Sequence, residues 1–151
     1  MRSKKVMRYW CDHCNKAGLR AHAMAKHERH CTKNPARACR TCTLINGGNG
    51  PDSDELRALV AMLPTPVAQD WDSIGNPSPQ FEKFMREVAE VAPRLREAAG
   101  GCPACMLAAI RQAGIFVSLV EGFDFKKEMS DVLDAAAREA DEVRRDSMGW
   151  C

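Results

Sequence analysis

Cysteine and histidine at short, fixed intervals are the residues of this chain with the most chemistry to offer. Cys11 and Cys14 are separated by two residues; twelve more lead to His27, and three more to Cys31. Two residues between thiolates let both reach one tetrahedral ion, and residues four apart on a helix share a face. Cys11, Cys14, His27 and Cys31 therefore describe one closed set of four soft ligands, the pattern of a structural zinc site. Two further pairs, Cys39/Cys42 and Cys102/Cys105, repeat the two-residue spacing. Each supplies half a tetrahedron and no other pair is free, so a second, four-cysteine zinc site is expected. The 59 residues between those pairs exceed the roughly 15–20 of common four-cysteine modules, so spacing alone argues less strongly there. Two Zn²⁺ ions are the expected cofactors.

The remaining ligand-type residues read differently. His13, His22 and His30 are expected to be surface side chains; only two residues separate His30 from His27, fewer than the usual three to five between the last two ligands. Cys151 is expected to be a loose terminal thiol. No nucleophile elbow, phosphate loop, metalloprotease helix or dinucleotide-binding turn is present, and no catalytic residues are assigned.

Elements that could position these ligands follow from periodicity. A helix is needed around His27 and Cys31. Asn46-Gly-Gly-Asn-Gly-Pro51 is a loop by composition. Asp52-Ser-Asp-Glu opens a helix carrying Leu56, Leu59, Val60 and Leu63, which Pro64 stops. Residues 64–79, rich in proline, form a linker in which Trp71 can dock on the core. A helix from about Gln80 to Ala99 carries an apolar stripe of Phe81, Phe84, Val88 and Leu95, with Pro93 expected to kink or restart it. Another starts at Cys102-Pro103, where proline suits the first helical position. Ile115–Val120 is expected as a short strand or a buried helix. Asp124 caps a last helix over 125–146, whose apolar residues recur close to a heptad seam. That seam either packs on the core or makes a homo-oligomer contact. The fold expectation is mainly α: a small N-terminal zinc finger over 1–43 joined to a bundle of about four helices over 44–151. The four-cysteine site would tie the two together.

Over residues 9–31 the ligand spacing resembles the C2H2 zinc-finger family in its C2HC variant. The interior departs from that family: its large aromatic falls at Gly18 and its leucine at Met24. Leu19, with Tyr9 or Trp10, is expected to fill the gap. The resemblance implies that Arg20, Ala23 and Lys26 face bases if the helix enters a major groove. The stretch from His27 through Cys39-Arg-Thr-Cys42, with Cys102-Pro-Ala-Cys105 and Phe123-Asp-Phe-Lys-Lys-Glu128, is similar to small uncharacterised zinc-binding proteins of tailed phages and prophages. That likeness implies a bacterial host cytoplasm and no particular activity. Cys102-Pro-Ala-Cys105 also resembles the glutaredoxin motif, but no βαβ pattern surrounds it.

Charge bears on function more than composition does. The net +2 hides a split: residues 1–50 hold eleven Lys/Arg and two Asp/Glu, and residues 51–151 hold eleven and eighteen. A basic front half either grips a polyanion or is neutralised by the acidic back half. No apolar run approaches the roughly 20 residues that span a bilayer, and no leader-type apolar segment opens the chain, so a reducing cytoplasm and no membrane are expected. The function expected first is nucleic-acid binding, DNA or RNA, through Arg20, Lys26, Arg29, Lys33 and Arg37. The alternative is a protein–protein interaction adaptor in which zinc is purely structural. Neither reading makes the chain an enzyme.

Overall fold

A computed structural model describes residues 6–48, 50–72 and 75–148. Arg2, Lys4, Lys5 and Cys151 lie outside the described residues. The fold is mainly helical, with one two-stranded sheet among the described residues.

The chain opens as a small ββα unit. Strand β1 (Tyr9–Trp10) pairs antiparallel with β2 (Ala17–Gly18), Tyr9 opposite Gly18 and Trp10 opposite Ala17. Helix α1 (Ala21–His30) follows. The gap at Gly18 is filled differently from expectation. Leu19, Tyr9 and Trp10 all remain exposed, whereas Met24 is buried. A Cβ built on Gly18 would lie 3.1 Å from Cε of Met24, so the thioether occupies the space an aromatic would take. Methionine suits this because its unbranched chain bends into an irregular gap. The cluster it joins consists of Met24, Cys11 and Cys31, with Cys14 against it. So few apolar groups cannot hold a unit of this size without a metal.

Helix α2 (Arg40–Asn46) runs across the expected division at residues 43 and 44. Its sequence carries no long apolar stripe, and what it buries is Thr41, Cys42 and the preceding Cys39. Gly47, in the left-handed region, ends it. Helix α3 (Ser53–Ala61) starts at a complete capping box between Asp52 and Glu55 and buries Leu56 and Leu59. The arm after Pro64 returns through a turn at Asp72 and Asn76, and the Trp71 ring meets Phe81 edge-on at 5.5 Å.

Helix α4 (Pro79–Ala98) is capped by Ser78 and buries Phe81, Phe84, Val88, Ala92 and Leu95. It runs without interruption through Pro93, which lies on the exposed side, where water can serve the backbone group that proline leaves unbonded. Helix α5 (Pro103–Gln112) is the centre of the molecule. Its residues 103–110 are all buried, and α3, α4 and α6 pack around it. The alanines at 104, 108 and 109 let these neighbours approach closely. After Gly114, at φ +76°, the run Ile115–Val120 forms neither strand nor buried helix. Ile115 and Val120 turn inward, Phe116 turns out, and Val117–Leu119 make a single 3₁₀ turn.

Helix α6 (Phe125–Met148) is capped by Asp124, whose carboxylate accepts from the N–H groups of Lys126 and Lys127. Phe125 and Met129 pack against the core, while residues 137–147 are all exposed. The seam read from sequence is thus only partly buried, and only over its first half. No helix among the described residues is long and apolar enough to cross a membrane.

Candidate metal centres

The first ligand set is assembled locally. Cys11 directly follows β1, Cys14 lies in the turn between the strands, His27 sits in the last turn of α1 and Cys31 directly follows that helix. The ligand atoms of Cys11, Cys14, His27 and Cys31 all lie within 4.8 Å of one another. Nε2 of His27 is 3.3 Å from Sγ of Cys14. The backbone supports the turn: the N–H of Cys11 donates to the Lys16 carbonyl, and that of Asp12 to the Glu28 carboxylate.

The second set is assembled across the fold. Sγ of Cys39 is 3.6 Å from Sγ of Cys102, and Sγ of Cys42 is 3.5 Å from Sγ of Cys105. These separations are far from the roughly 2.05 Å of a disulfide. They approach the roughly 3.8 Å between sulfurs that a tetrahedral ion imposes at a zinc–sulfur distance of about 2.3 Å. All four cysteines are buried in the main hydrophobic core. Cys102 precedes α5 and Cys105 lies in its first turn, so neither thiol of the Cys-Pro-Ala-Cys motif faces solvent. The two groups of four ligands fit two zinc ions: Cys11, Cys14, His27 and Cys31 would hold one, and Cys39, Cys42, Cys102 and Cys105 the other.

Electrostatics at the second site are those of crowded thiols sharing protons. Hydrogen bonds from Cys102 and Cys105, with the nearby Arg37 charge, hold the Cys39 thiol far below the ordinary range. Burial and its bonds to Cys102 push Cys42 up to about 12, and Cys105 is held far above the usual range by Cys102, Cys39 and burial. At the first site burial raises the Cys14 thiol. The Lys16 backbone and the side chains of His27, Cys11 and Cys31 outweigh that and bring it to about 7. Burial pushes Cys31 up.

Three residues near these sites have roles their sequence context concealed. Arg37, placed by sequence with the nucleic-acid contacts, is turned inward and is only 8% exposed. Its Nη1 donates to the Ala104 carbonyl at 3.3 Å and points at Sγ of Cys105 at 3.8 Å. Four thiolates outweigh one divalent ion by two charges, and a buried excess of that kind needs a cation beside it. Gly50 is the second. At φ +82° its backbone passes so close to the site that a Cβ there would lie 2.6 Å from Cβ of Cys39. A loop glycine ahead of Pro51 was visible in the sequence, but not what it approaches. His30 is the third: it is no ligand. Its Nδ1 donates to the Ala38 carbonyl at 2.8 Å, which leaves Nε2 to accept from Nε of Arg40.

The other cations picked from sequence, Arg20, Lys26, Arg29 and Lys33, are exposed. No family model matches the chain, and no curated protein or solved structure does.

Proposed function

We propose that this chain is a zinc-stabilised nucleic-acid-binding protein, non-catalytic, whose basic N-terminal segment contacts phosphates. One observation carries the reading. Every ion pair among the described residues joins partners between Asp54 and Arg144, within the acidic half. Arg8, Lys16, Arg20, Lys26, Arg29, Lys33 and Arg40 are exposed and have no carboxylate partner among the described residues. A basic half neutralised by its own acidic half would pair some of them. Surface cations left unpaired suit a polyanion, whose release of condensed counterions drives binding.

The test is binding of zinc-loaded protein to random-sequence duplexes and single strands across 50–200 mM salt, repeated with Arg20→Ala/Lys26→Ala. Binding through phosphates loses affinity steeply with salt, and the double variant flattens the slope by about two contacts. Absence of binding at low salt would end this reading.

The adaptor reading draws on one observation of its own. Leu133 and Val143 stand exposed on α6, 50% and 64% respectively, where a partner helix would cover them. Docking of that kind is insensitive to salt, which separates the two.

A further inference from the structure

A groove of about 720 Å³ runs between the finger and the helical part. Its finger wall carries Lys16, Lys33 and the exposed edges of the first metal site; its other wall carries Arg111, Ile115 and Phe116. The walls are fastened together. Nε2 of Gln112 donates to the carbonyls of Thr32 and Asn34 at 3.0 and 3.1 Å, and Nη1 of Arg111 donates to Oγ1 of Thr32 at 3.1 Å. Three side-chain hydrogen bonds therefore hold the two walls together.

Two properties of its lining point to one ligand chemistry. First, it holds three cationic side chains and no carboxylate. Zinc with three thiolates and one neutral imidazole carries a single excess negative charge, which three cations outweigh. Second, Phe116 is 64% exposed on this rim, although the chain has only five phenylalanines to fill its core. Phosphates accept hydrogen bonds from Lys and Arg, and a phenyl face stacks on a base. Only an unpaired base presents a free face; in a duplex both faces are covered by neighbouring bases. Arg20 and Lys26, the helix positions a major groove would meet, are not part of this groove.

We propose that this groove binds single-stranded nucleic acid, with phosphates on Lys16, Lys33 and Arg111 and one base stacked on Phe116. The proposal rests on the nucleic-acid reading above and adds the strand class and a surface separate from the recognition-helix positions.

The experiment is fluorescence anisotropy of the full, zinc-loaded chain with a fluorescein-labelled oligothymidylate, over a salt series. Phe116→Ala is expected to weaken binding roughly tenfold to a hundredfold with an unchanged salt slope, the effect of losing one stacked base. Phe116→Trp should restore it. Lys33→Gln should lower the slope by about 0.7, one single-strand phosphate contact. Zinc content and helicity of each variant establish that it is folded, and at an exposed ring Phe116→Ala should leave both intact. If the wild-type chain binds the oligomer and Phe116→Ala binds it equally well, the groove proposal is overturned while the general reading stands. The same holds if polyglutamate of equal charge displaces the oligomer and binds Phe116→Ala as tightly as wild type, which would mark the groove as an acidic-protein site. If the wild-type chain binds neither strand nor duplex, both readings fall.

Discussion

Arg37 and Cys105 are 68 residues apart in sequence, yet Nη1 of one lies 3.8 Å from Sγ of the other inside the core. The guanidinium also holds the Ala104 carbonyl, and its Nε has no hydrogen-bond partner among the described residues. A buried cation without a carboxylate is costly unless another negative group is beside it, and a four-thiolate zinc site is such a group. Arg37→Met should therefore weaken zinc retention at Cys39, Cys42, Cys102 and Cys105 by about tenfold to a hundredfold, the usual effect of losing a residue that supports metal ligands. Chelator competition reads this directly, and equal release from both proteins would remove the counter-charge role.

Losing a ligand should have different consequences at the two sites. Cys39 and Cys42 meet Cys102 and Cys105 within the core that α3, α4 and α5 share. Cys105→Ser is expected to abolish the main cooperative thermal transition, because a structural zinc contributes about as much as the whole stability of an ordinary domain. His27→Ala should cost one zinc per chain and unfold residues 9–31 while the main transition survives. A single shared loss in calorimetry for both variants would contradict that hierarchy.

Protons compete with zinc, and the thiol environments set how many. Cys14 is lowered to about 7, so its contribution to the finger is present above the ordinary thiol value of 9.0 and is lost as pH falls through about 7. Cys42, raised to about 12, and Cys105, also raised, keep their protons throughout that window and surrender them only to the metal. At pH 8 the four-cysteine site should release more protons per zinc than the finger site. Titration of each single-site variant in weak buffer with an indicator dye measures this, and equal release would contradict it.

Gly50 offers a test of the loop's approach to the second site. A Cβ would meet Cβ of Cys39 at 2.6 Å and Sγ of Cys42 at 3.1 Å, in a backbone conformation at φ +82°. Gly50→Ala should cost at least about 1–3 kcal/mol from backbone strain alone and lower the occupancy of that zinc site. Gly47, at φ +61° with nothing within 4 Å of a built Cβ, is the control. Gly47→Ala should cost only about 1–2 kcal/mol. Melting temperatures of the two variants that coincide would mean the loop does not press on the cysteines.

The far half of α6 should be dispensable for folding. Residues 137–147 bury nothing in this chain. Removing residues 138–151 is expected to leave zinc content and melting temperature close to wild type. A large drop would show that this half is held by something outside a single chain, and sedimentation would identify a second copy.

Both ligand sets were legible in the sequence, for different reasons. Cys11, Cys14, His27 and Cys31 are close enough that turn and helix geometry alone brings them together. Cys39/Cys42 and Cys102/Cys105 were paired by unmet valence: two half-tetrahedra and no other partner. The helices with long apolar stripes, α3 to α6, were legible from period and caps, as with Asp52 and Asp124. Helix α2 was not, because seven residues with two threonines carry no stripe. What holds it is that Cys39 and Cys42 must both face the core.

Tertiary structure alone decided which way individual side chains turn. Arg37 reads like any other cation in a basic run, and only the position of α5 places a thiolate site beneath it. Met24 fills the gap at Gly18 because an unbranched thioether bends into it, while Leu19 and Trp10 stay in water. Phe116 reads as one more apolar residue of Ile115–Val120, and only the turn after Gly114 puts it on a cationic rim. Spacing along the chain determines which ligands can share an ion, because helix and turn geometry are local. Whether a given charge or ring ends inside or outside depends on which faces distant elements bury against each other, and that is settled only when the whole core closes.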